Sequence, residues 1–295
     1  MTLLTLYHVS FLHMTPITLI FSGNSWTPLH SASFYGYPDI IRLLLQNGTD
    51  LETKDSDKNT PLYLAAQQGK PASAKALLKH HASPHARNDS SATPLHQASF
   101  YGHPDTIKLL LKHGADPEAQ NIHQNTPLHL AVMQGTLLAV RVLLEYHASV
   151  RARGHDYWTP LHEASFHGHT DIIQLLLENG TDLDAQNGDE NTPLHLAVVQ
   201  GKHLAAQRLI EHGATVRVWN KIGRTPLHHA SFYEYPDITR LLLERKAIVD
   251  APDGEHATSL HLAVVNGKIE AARLLLKAGA SVRARNKNRQ TPFHI

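Results

Sequence analysis

A tetrapeptide close to Thr-Pro-Leu-His recurs every 33 residues along almost the whole chain. Its nine copies begin at Thr27, Thr60, Thr93, Thr126, Thr159, Thr192, Thr225, Thr258 and Thr291. A fixed period of this length predicts a stack of similar structural units, each of which contacts only its neighbours. Because eight complete units run from residue 27 to residue 290 of the 295, we expect no second domain.

The period also sets the expected boundaries of the units. Residues 1–26 form an atypical apolar segment, and residues 291–295 begin a truncated ninth unit. The eight complete units are 27–59, 60–92, 93–125, 126–158, 159–191, 192–224, 225–257 and 258–290.

Within a unit, the residue pattern predicts two short helices and a polar finger. The run from Thr93 to Gly102 has Pro in its first turn and Gly at its end, which are helix start and stop signals. A second helix begins near Pro104 and stops at Gly114, and the polar stretch that follows reads as a loop. Helices below about 12–15 residues are marginal alone in water, so stacking of units must supply the core.

This pattern resembles the ankyrin repeat family, through its Thr-Pro-Leu-His-x-Ala motif and the closing run Gly114-Ala115-Asp116. The resemblance covers about nine-tenths of the chain. It implies an all-α helical solenoid of helix-turn-helix-finger units. It also implies a non-catalytic scaffold that binds a partner protein in a concave groove lined by the first helices and the fingers.

Some positions depart from the family pattern. His81, His147 and Lys246 replace the glycine that closes the second helix, and Glu234 replaces the glycine between the helices. If the backbone stays left-handed there, each replacement costs about 1–2 kcal/mol. Unit 225–257 carries two of them, so we predict that it opens first.

Successive units alternate between two types. We call the units that begin at Thr27, Thr93, Thr159 and Thr225 odd units; they carry Ala-Ser-Phe, whereas the even units between them carry Leu-Ala.

The residue that lies twenty-five positions after each motif Thr alternates between an acidic and a basic side chain. We interpret this series as a surface ladder in which each carboxylate lies between cations of neighbouring units, with a recognition role as the alternative. Its members are Glu52, His85, Glu118, Arg151, Asp184, Arg217, Asp250 and Arg283.

Aromatic residues mark the candidate partner-binding surface. In the family, variable groove residues lie seven and eight positions after the Thr. In odd units these are Phe34, Tyr35, Phe100, Tyr101, Phe166, His167, Phe232 and Tyr233. Finger aromatics that break the repeat pattern are second candidates: Tyr157, Trp158, Trp219 and Trp26. Large aromatic side chains are enriched at binding hot spots, but the Phe rings could instead pack inward and the Tyr hydroxyls could bind backbone.

Other kinds of site are disfavoured. The chain has no cysteine, which excludes disulfides, zinc–thiolate sites and thiol catalysis. A net charge of +1 favours no nucleic-acid partner, and we interpret the basic run Arg283–Arg289 as a solvated finger. The sequence contains no phosphate-binding loop and no placed catalytic group, so we expect no enzyme activity, cofactor or metal.

Histidine is abundant, with 24 in the chain. Eight of these occupy the motif position, where the resemblance implies that the imidazole ties neighbouring repeats together by hydrogen bonds. The motif histidines are His30, His96, His129, His162, His195, His228, His261 and His294.

The two ends leave alternatives open. Residues 1–22 contain no charged side chain and are either an anchor or secretory segment, or a degraded repeat or mis-assigned start that covers unit 27–59. We expect a cytoplasmic monomer, with the nucleus as the alternative, and glycosylation at Asn47, Asn88 or Asn179 would indicate secretion instead. The chain stops as another unit opens, so it is either cut from a longer product or frays there. The alternative functions are a recruiting region of a larger signalling or ubiquitin-ligase protein and a membrane-tethered repeat protein.

Overall fold

The structure, a computed structural model, describes residues 24–294. These residues form sixteen α-helices, one short 3-10 turn at His155–Tyr157 and no strand. The predictions about residues 1–22 concern a segment that lies outside the described residues. The first helices of the units are α1 (Pro28–Tyr35), α3 (Pro61–Gln67), α5 (Pro94–Phe100), α7 (Pro127–Met133), α9 (Pro160–His167), α11 (Pro193–Val199), α13 (Pro226–Tyr233) and α15 (Ser259–Val265). The second helices are α2 (Pro38–Gln46), α4 (Pro71–Lys79), α6 (Pro104–Lys112), α8 (Leu137–Glu145), α10 (Thr170–Glu178), α12 (His203–Glu211), α14 (Pro236–Glu244) and α16 (Ile269–Lys277).

The helices stack in two layers. Each first helix packs against the first helix of the next unit, and each second helix packs against the second helix of the next unit. The third motif residue, such as Leu95 or Leu128, is completely buried between the layers. One continuous apolar core runs from Leu29 to Ala280. This arrangement confirms the predicted all-α solenoid.

The motif Thr begins each first helix. Thr93 has an extended backbone, and Pro94 takes the first helical position, where a missing N–H costs nothing. The Thr93 N–H donates to Nδ1 of His96 at 3.1 Å. This reciprocal cap recurs in every described unit except 60–92, where Tyr63 replaces the histidine.

The motif histidines also join the units, as the resemblance implies. With Nδ1 accepting from the Thr backbone, Nε2 carries the proton and donates to a carbonyl 29 residues ahead. In unit 93–125, Nε2 of His96 lies 3.1 Å from the Asn125 carbonyl oxygen, and His195 reaches the Arg224 carbonyl at 3.0 Å. Burial lowers the pKa of both histidines to about 4, so they are neutral at pH 7.

The unusual left-handed residues keep the backbone conformation of the glycines they replace. Glu234 has φ of 62°, against 84° for the equivalent Gly36. His81, His147 and Lys246 have φ of 71°, 64° and 59°. The premise of the strain argument is therefore confirmed, while early opening of unit 225–257 stays a prediction.

The finger turns are held by side chains rather than by glycine. The residue two positions before each motif Thr is left-handed, although only Gly223 is a glycine. In the turn before Thr126, Asn121 Oδ1 accepts the backbone N–H groups of His123 and Asn125 at 2.9 and 3.1 Å. An Asn or Asp at this position satisfies the turn locally.

The charge-ladder prediction was wrong about what the charged groups bind. The carboxylate of Glu118 accepts the backbone N–H of Ser149 in the next unit at 2.7 Å, and Asp250 accepts that of Ser281 at 2.9 Å. The Arg217 guanidinium donates to the Lys246 carbonyl at 2.8 Å. Among the described residues, no ion pair joins two members of the ladder. Six of the eight ladder side chains bind the backbone of the next unit, namely Glu52, Glu118, Arg151, Asp184, Arg217 and Asp250.

Candidate protein-binding surface

The aromatic candidates lie at the ends of the first helices of odd units. The Phe100 ring is half-buried and meets the Tyr101 ring edge to face, with 5.1 Å between ring centroids. The equivalent pairs in the other odd units have the same geometry at 4.9–5.3 Å. Tyr35, Tyr101 and Tyr233 keep 37%, 41% and 43% of their surface exposed. The Phe rings therefore serve partly as packing, whereas the tyrosine rings present open surface.

A third ring completes each set, and the sequence analysis missed it. Tyr101 stacks on His103 with ring centroids 6.3 Å apart, and Tyr233 stacks on Tyr235 at 6.0 Å. The signal was present as a ring ten positions after the Thr in every odd unit. We call the four sets the aromatic row. Its members are Phe34, Tyr35, Tyr37, Phe100, Tyr101, His103, Phe166, His167, His169, Phe232, Tyr233 and Tyr235.

The third ring also fixes the row to the framework. His103 Nε2 lies 3.0 Å from the Gln67 carbonyl oxygen of the preceding unit. His169 makes the same contact to the Met133 carbonyl at 3.4 Å. A ring held at its edge by a backbone carbonyl has little freedom left to lose, so these sets are ordered before a partner arrives.

The finger aromatics divide into two kinds. The Trp158 ring packs on Phe166 with centroids 5.4 Å apart, and Trp26 packs on Phe34 at 5.0 Å. Trp219 remains 41% exposed and Tyr157 59% exposed. Trp158 therefore extends the aromatic row, whereas Tyr157 and Trp219 are exposed residues of the fingers.

The finger before unit 159–191 differs from the others. Its turn-holding position is Gly154, which has no side chain to accept the turn N–H groups. The turn instead forms the 3-10 segment, with Asp156 and Tyr157 both left-handed at φ of 53° and 59°. An open cleft of about 460 Å³ lies between this finger and the next, lined by Arg153, Tyr157, Asp182, Asp184, Ala185, Gln186, Asn187, Gly188 and Glu190.

Two buried polar side chains on the first helices were also missed. Glu163 and His229 stand four positions after the motif Thr, where even units carry leucine, and each is only 8% exposed. Burial raises the pKa of Glu163 to about 7 and lowers that of His229 to about 3. His229 lies 3.4 Å from the Asn220 amide, and the Glu163 carboxylate lies 3.7 Å from His167 Nε2.

Ser231 and His229 are close in sequence but bind different groups. Ser231, which the sequence places beside His229, donates its hydroxyl to the Leu227 carbonyl at 2.8 Å and is part of the helix. Nowhere in residues 24–294 do three histidine or acidic side chains converge as metal ligands would. No helix in the same range combines the length and apolar composition of a membrane span.

Comparison with known proteins decides the family. The sequence profile of "Ankyrin repeats (3 copies)" matches residues 29–121, 95–187 and 175–253, and that of "Ankyrin repeats (many copies)" matches residues 242–295. The chain belongs to the ankyrin repeat family. The crystal structure of the human ASB11 ankyrin repeat domain is similar, with a TM-score of 0.69 and 28% identity over 76% of this chain and 99% of that chain. No curated protein matches the chain.

Membership explains the architecture of the surface. Ankyrin repeats form a stack whose extended surface serves protein interaction. Hydrogen bonds through the motif Thr and His hold the stack, so surface positions of an ankyrin unit can vary without loss of the fold. The rings of the aromatic row take no part in the hydrogen bonds of the motif Thr and His.

Proposed function

We propose that this ankyrin repeat protein is a non-catalytic scaffold that binds a partner protein along the aromatic row. The observation that carries the proposal is the recurrence of a half-exposed, stacked ring set in every second unit. Rings offer large contact area at low ordering cost and dominate binding energy at protein interfaces. The backbone contacts of His103 and His169 further reduce that cost.

The spacing of the sets indicates the shape of the partner. Neighbouring helices pack roughly 8–10 Å apart, so sets two units apart are separated by roughly 20 Å. An extended segment, or a partner with its own repeat, can touch several sets at once and gain from their combined effect. Tyr157, Trp158 and Trp219 would contact such a partner at the finger side of the groove.

Protein capture from a host lysate tests the proposal. The native chain is compared with a variant carrying Tyr35→Ala, Tyr101→Ala and Tyr233→Ala, after circular dichroism shows that both fold alike. We expect the native chain to retain a partner that the variant loses. The truncated rings are exposed, so stability should change little.

A matched control distinguishes binding at the aromatic row from non-specific binding to exposed apolar side chains. Leu138, Leu204 and Ile269 lie on the second helices and are 64%, 66% and 68% exposed. Their triple alanine variant removes as many exposed apolar side chains from the other helix layer. Retention of the partner by this control and by the tyrosine variant alike would refute the aromatic row as the contact surface.

A further inference from the structure

Negative charge is concentrated in one unit of the stack. Unit 159–191 contains seven aspartates and glutamates and neither lysine nor arginine, although the whole chain has a net charge of +1. The adjacent unit 192–224 has the opposite balance, with one acidic residue and five basic ones. One unit of the solenoid therefore presents a strongly acidic surface between less acidic neighbours.

Some carboxylates of unit 159–191, such as Asp184, accept hydrogen bonds from neutral groups, which do not cancel their charge. Among the described residues, no acidic side chain of unit 159–191 forms an ion pair with lysine or arginine. In unit 225–257, by contrast, Asp253 pairs with Arg224 at 3.5 Å and Glu255 pairs with Lys287 at 3.2 Å. The acidic groups of unit 159–191 therefore leave their field available to a partner.

One of these carboxyl groups lies within the aromatic row. Glu163, Phe166 and His167 are three and four residues apart on α9, which places them on one face of the helix. The Glu163 carboxylate oxygen lies 3.7 Å from His167 Nε2, and Trp158 covers Phe166. Glu163 is 8% exposed. A carboxylate that has lost most of its water in this way is stabilised by a cation brought to it.

The residue equivalent to Glu163 in unit 225–257 has an amide partner that Glu163 lacks. The equivalent positions of the other odd units hold Ser31, Gln97 and His229, and the Asn220 amide reaches His229. The residue equivalent to Asn220 is Gly154, so no amide side chain can reach Glu163 from that position.

Unit 225–257 also shows a cation at an equivalent ring. The Arg224 guanidinium carbon lies 5.5 Å from the Phe232 centroid, while its Nε pairs with Asp253. A guanidinium thus fits beside this ring in the framework of the repeat, held by both the ring and a carboxylate. Arg224 lies one residue before Thr225, and the residue at the same place before Thr159 is Trp158, which provides a second aromatic ring and no cation.

We propose that Glu163 is the docking point for an arginine or lysine side chain from an extended, basic segment of the partner protein. Trp158 and Phe166 contact the stem of that side chain. Further basic residues of the segment face Asp182, Asp184 and Glu190 in the cleft between the fingers, where the one basic lining residue, Arg153, lies over the Tyr157 ring. The inference rests on the proposed scaffold function and names the chemistry of its partner.

A displayed library of random twelve-residue peptides, selected on the full chain, tests this assignment. We expect the enriched peptides to share an arginine or lysine at one position. Changing that residue to glutamine should weaken binding at least about 30-fold, the loss typical of removing one member of a buried charge pair. Glu163→Gln should cost the same factor, and the two changes together should cost little more than either alone.

The control variant carries Asp171→Asn and Glu178→Gln. It removes two charges from the same unit but on the second helix α10, and we expect less than about a threefold effect on peptide binding. Equal binding of the selected peptides to the native chain and Glu163→Gln, or enriched peptides without a shared basic residue, would overturn the assignment. If such peptides still lose binding in the triple tyrosine variant, the proposed scaffold function survives. A library that yields no binding peptide counts against both.

Discussion

Replacing Glu163 by leucine should make the protein more stable at neutral and alkaline pH. The flanking even units carry Leu130 and Leu196 at the equivalent position, and both are 6–8% exposed. Leucine is therefore compatible with this site in the stack. The change removes a carboxyl group that burial holds in an unfavourable environment.

The size of the effect follows from the pKa of Glu163, which burial raises from 4.5 to about 7. The folded state thus binds this proton more tightly than the unfolded state. The carboxyl costs nothing below about pH 4.5, and its cost grows as the pH rises toward and beyond 7. With 1.36 kcal/mol per pKa unit, the full cost is about 3 kcal/mol at pH 8. Burial of the leucine side chain adds about 1 kcal/mol at every pH.

Urea unfolding of the native chain and Glu163→Leu at several pH values between 5 and 8 measures this difference. We expect the stability gain of the variant to increase by about 2–3 kcal/mol across that range. Groups that titrate alike in both proteins cancel in the comparison. Asp171→Leu, at an exposed position of α10, serves as the control and should show no such trend. A gain that is constant with pH, or a loss of stability, would show that the Glu163 carboxyl is well solvated and refute the reasoning.

Three other predictions follow from the framework. Glu234→Gly should raise the free energy of unfolding by about 1 kcal/mol, because glycine adopts the left-handed backbone without strain. Hydrogen exchange should show that unit 225–257 opens first in the native chain. Protection of this unit equal to that of unit 192–224 would contradict the prediction. Acidification should destabilise the stack, because burial lowers the pKa from 6.5 to about 4 in four motif histidines, His96, His129, His162 and His195. Their contribution to the free energy of unfolding should be fully present above about pH 6.5 and lost toward pH 4, by up to about 3 kcal/mol per histidine. A thermal midpoint unchanged between pH 7 and pH 5 would disprove this. Glu118→Ala should lower the free energy of unfolding by about 1 kcal/mol through loss of the hydrogen bond from the Ser149 N–H. This loss should depend little on salt, because the partner is a neutral backbone group. A loss that disappears in about 1 M salt would restore the ion-pair interpretation.

The fold was predictable because the same helix start and stop signals recur from unit to unit. The period, the Pro after each motif Thr and the glycine between helices locate both helices of a unit independently. The same comparison across units identified Glu234 and Lys246 as replacements of glycine, and both have a left-handed backbone. These features depend on local sequence, which a single chain displays in full.

The surface was predictable only in part, because contacts between units depend on distances that spacing does not provide. The charge series suggested pairs such as Glu118 with Arg151, but the backbone of the next unit is nearer to each group. Two of the three rings in each set were identified from family positions, and the third required knowledge that the turn brings position ten back onto position eight. Glu163 was missed because one sequence does not reveal which of seven acidic side chains is buried.

The cost of Glu163 to the stability of the fold indicates that this residue serves binding rather than the framework. Neutral hydrogen bonds through the motif Thr and His join the units, and none of them uses the residue four positions after the Thr. Leu130 and Leu196 show that an apolar side chain satisfies this position in the neighbouring units. A carboxylate there weakens the stack at neutral pH by an amount comparable to the loss of a core methyl group or more. A costly group that the framework does not need, placed among preordered rings in an acidic unit, gains its stabilisation when a cation binds. Glu163→Leu should therefore strengthen the fold and weaken partner binding together, a combination that a purely structural residue would not produce.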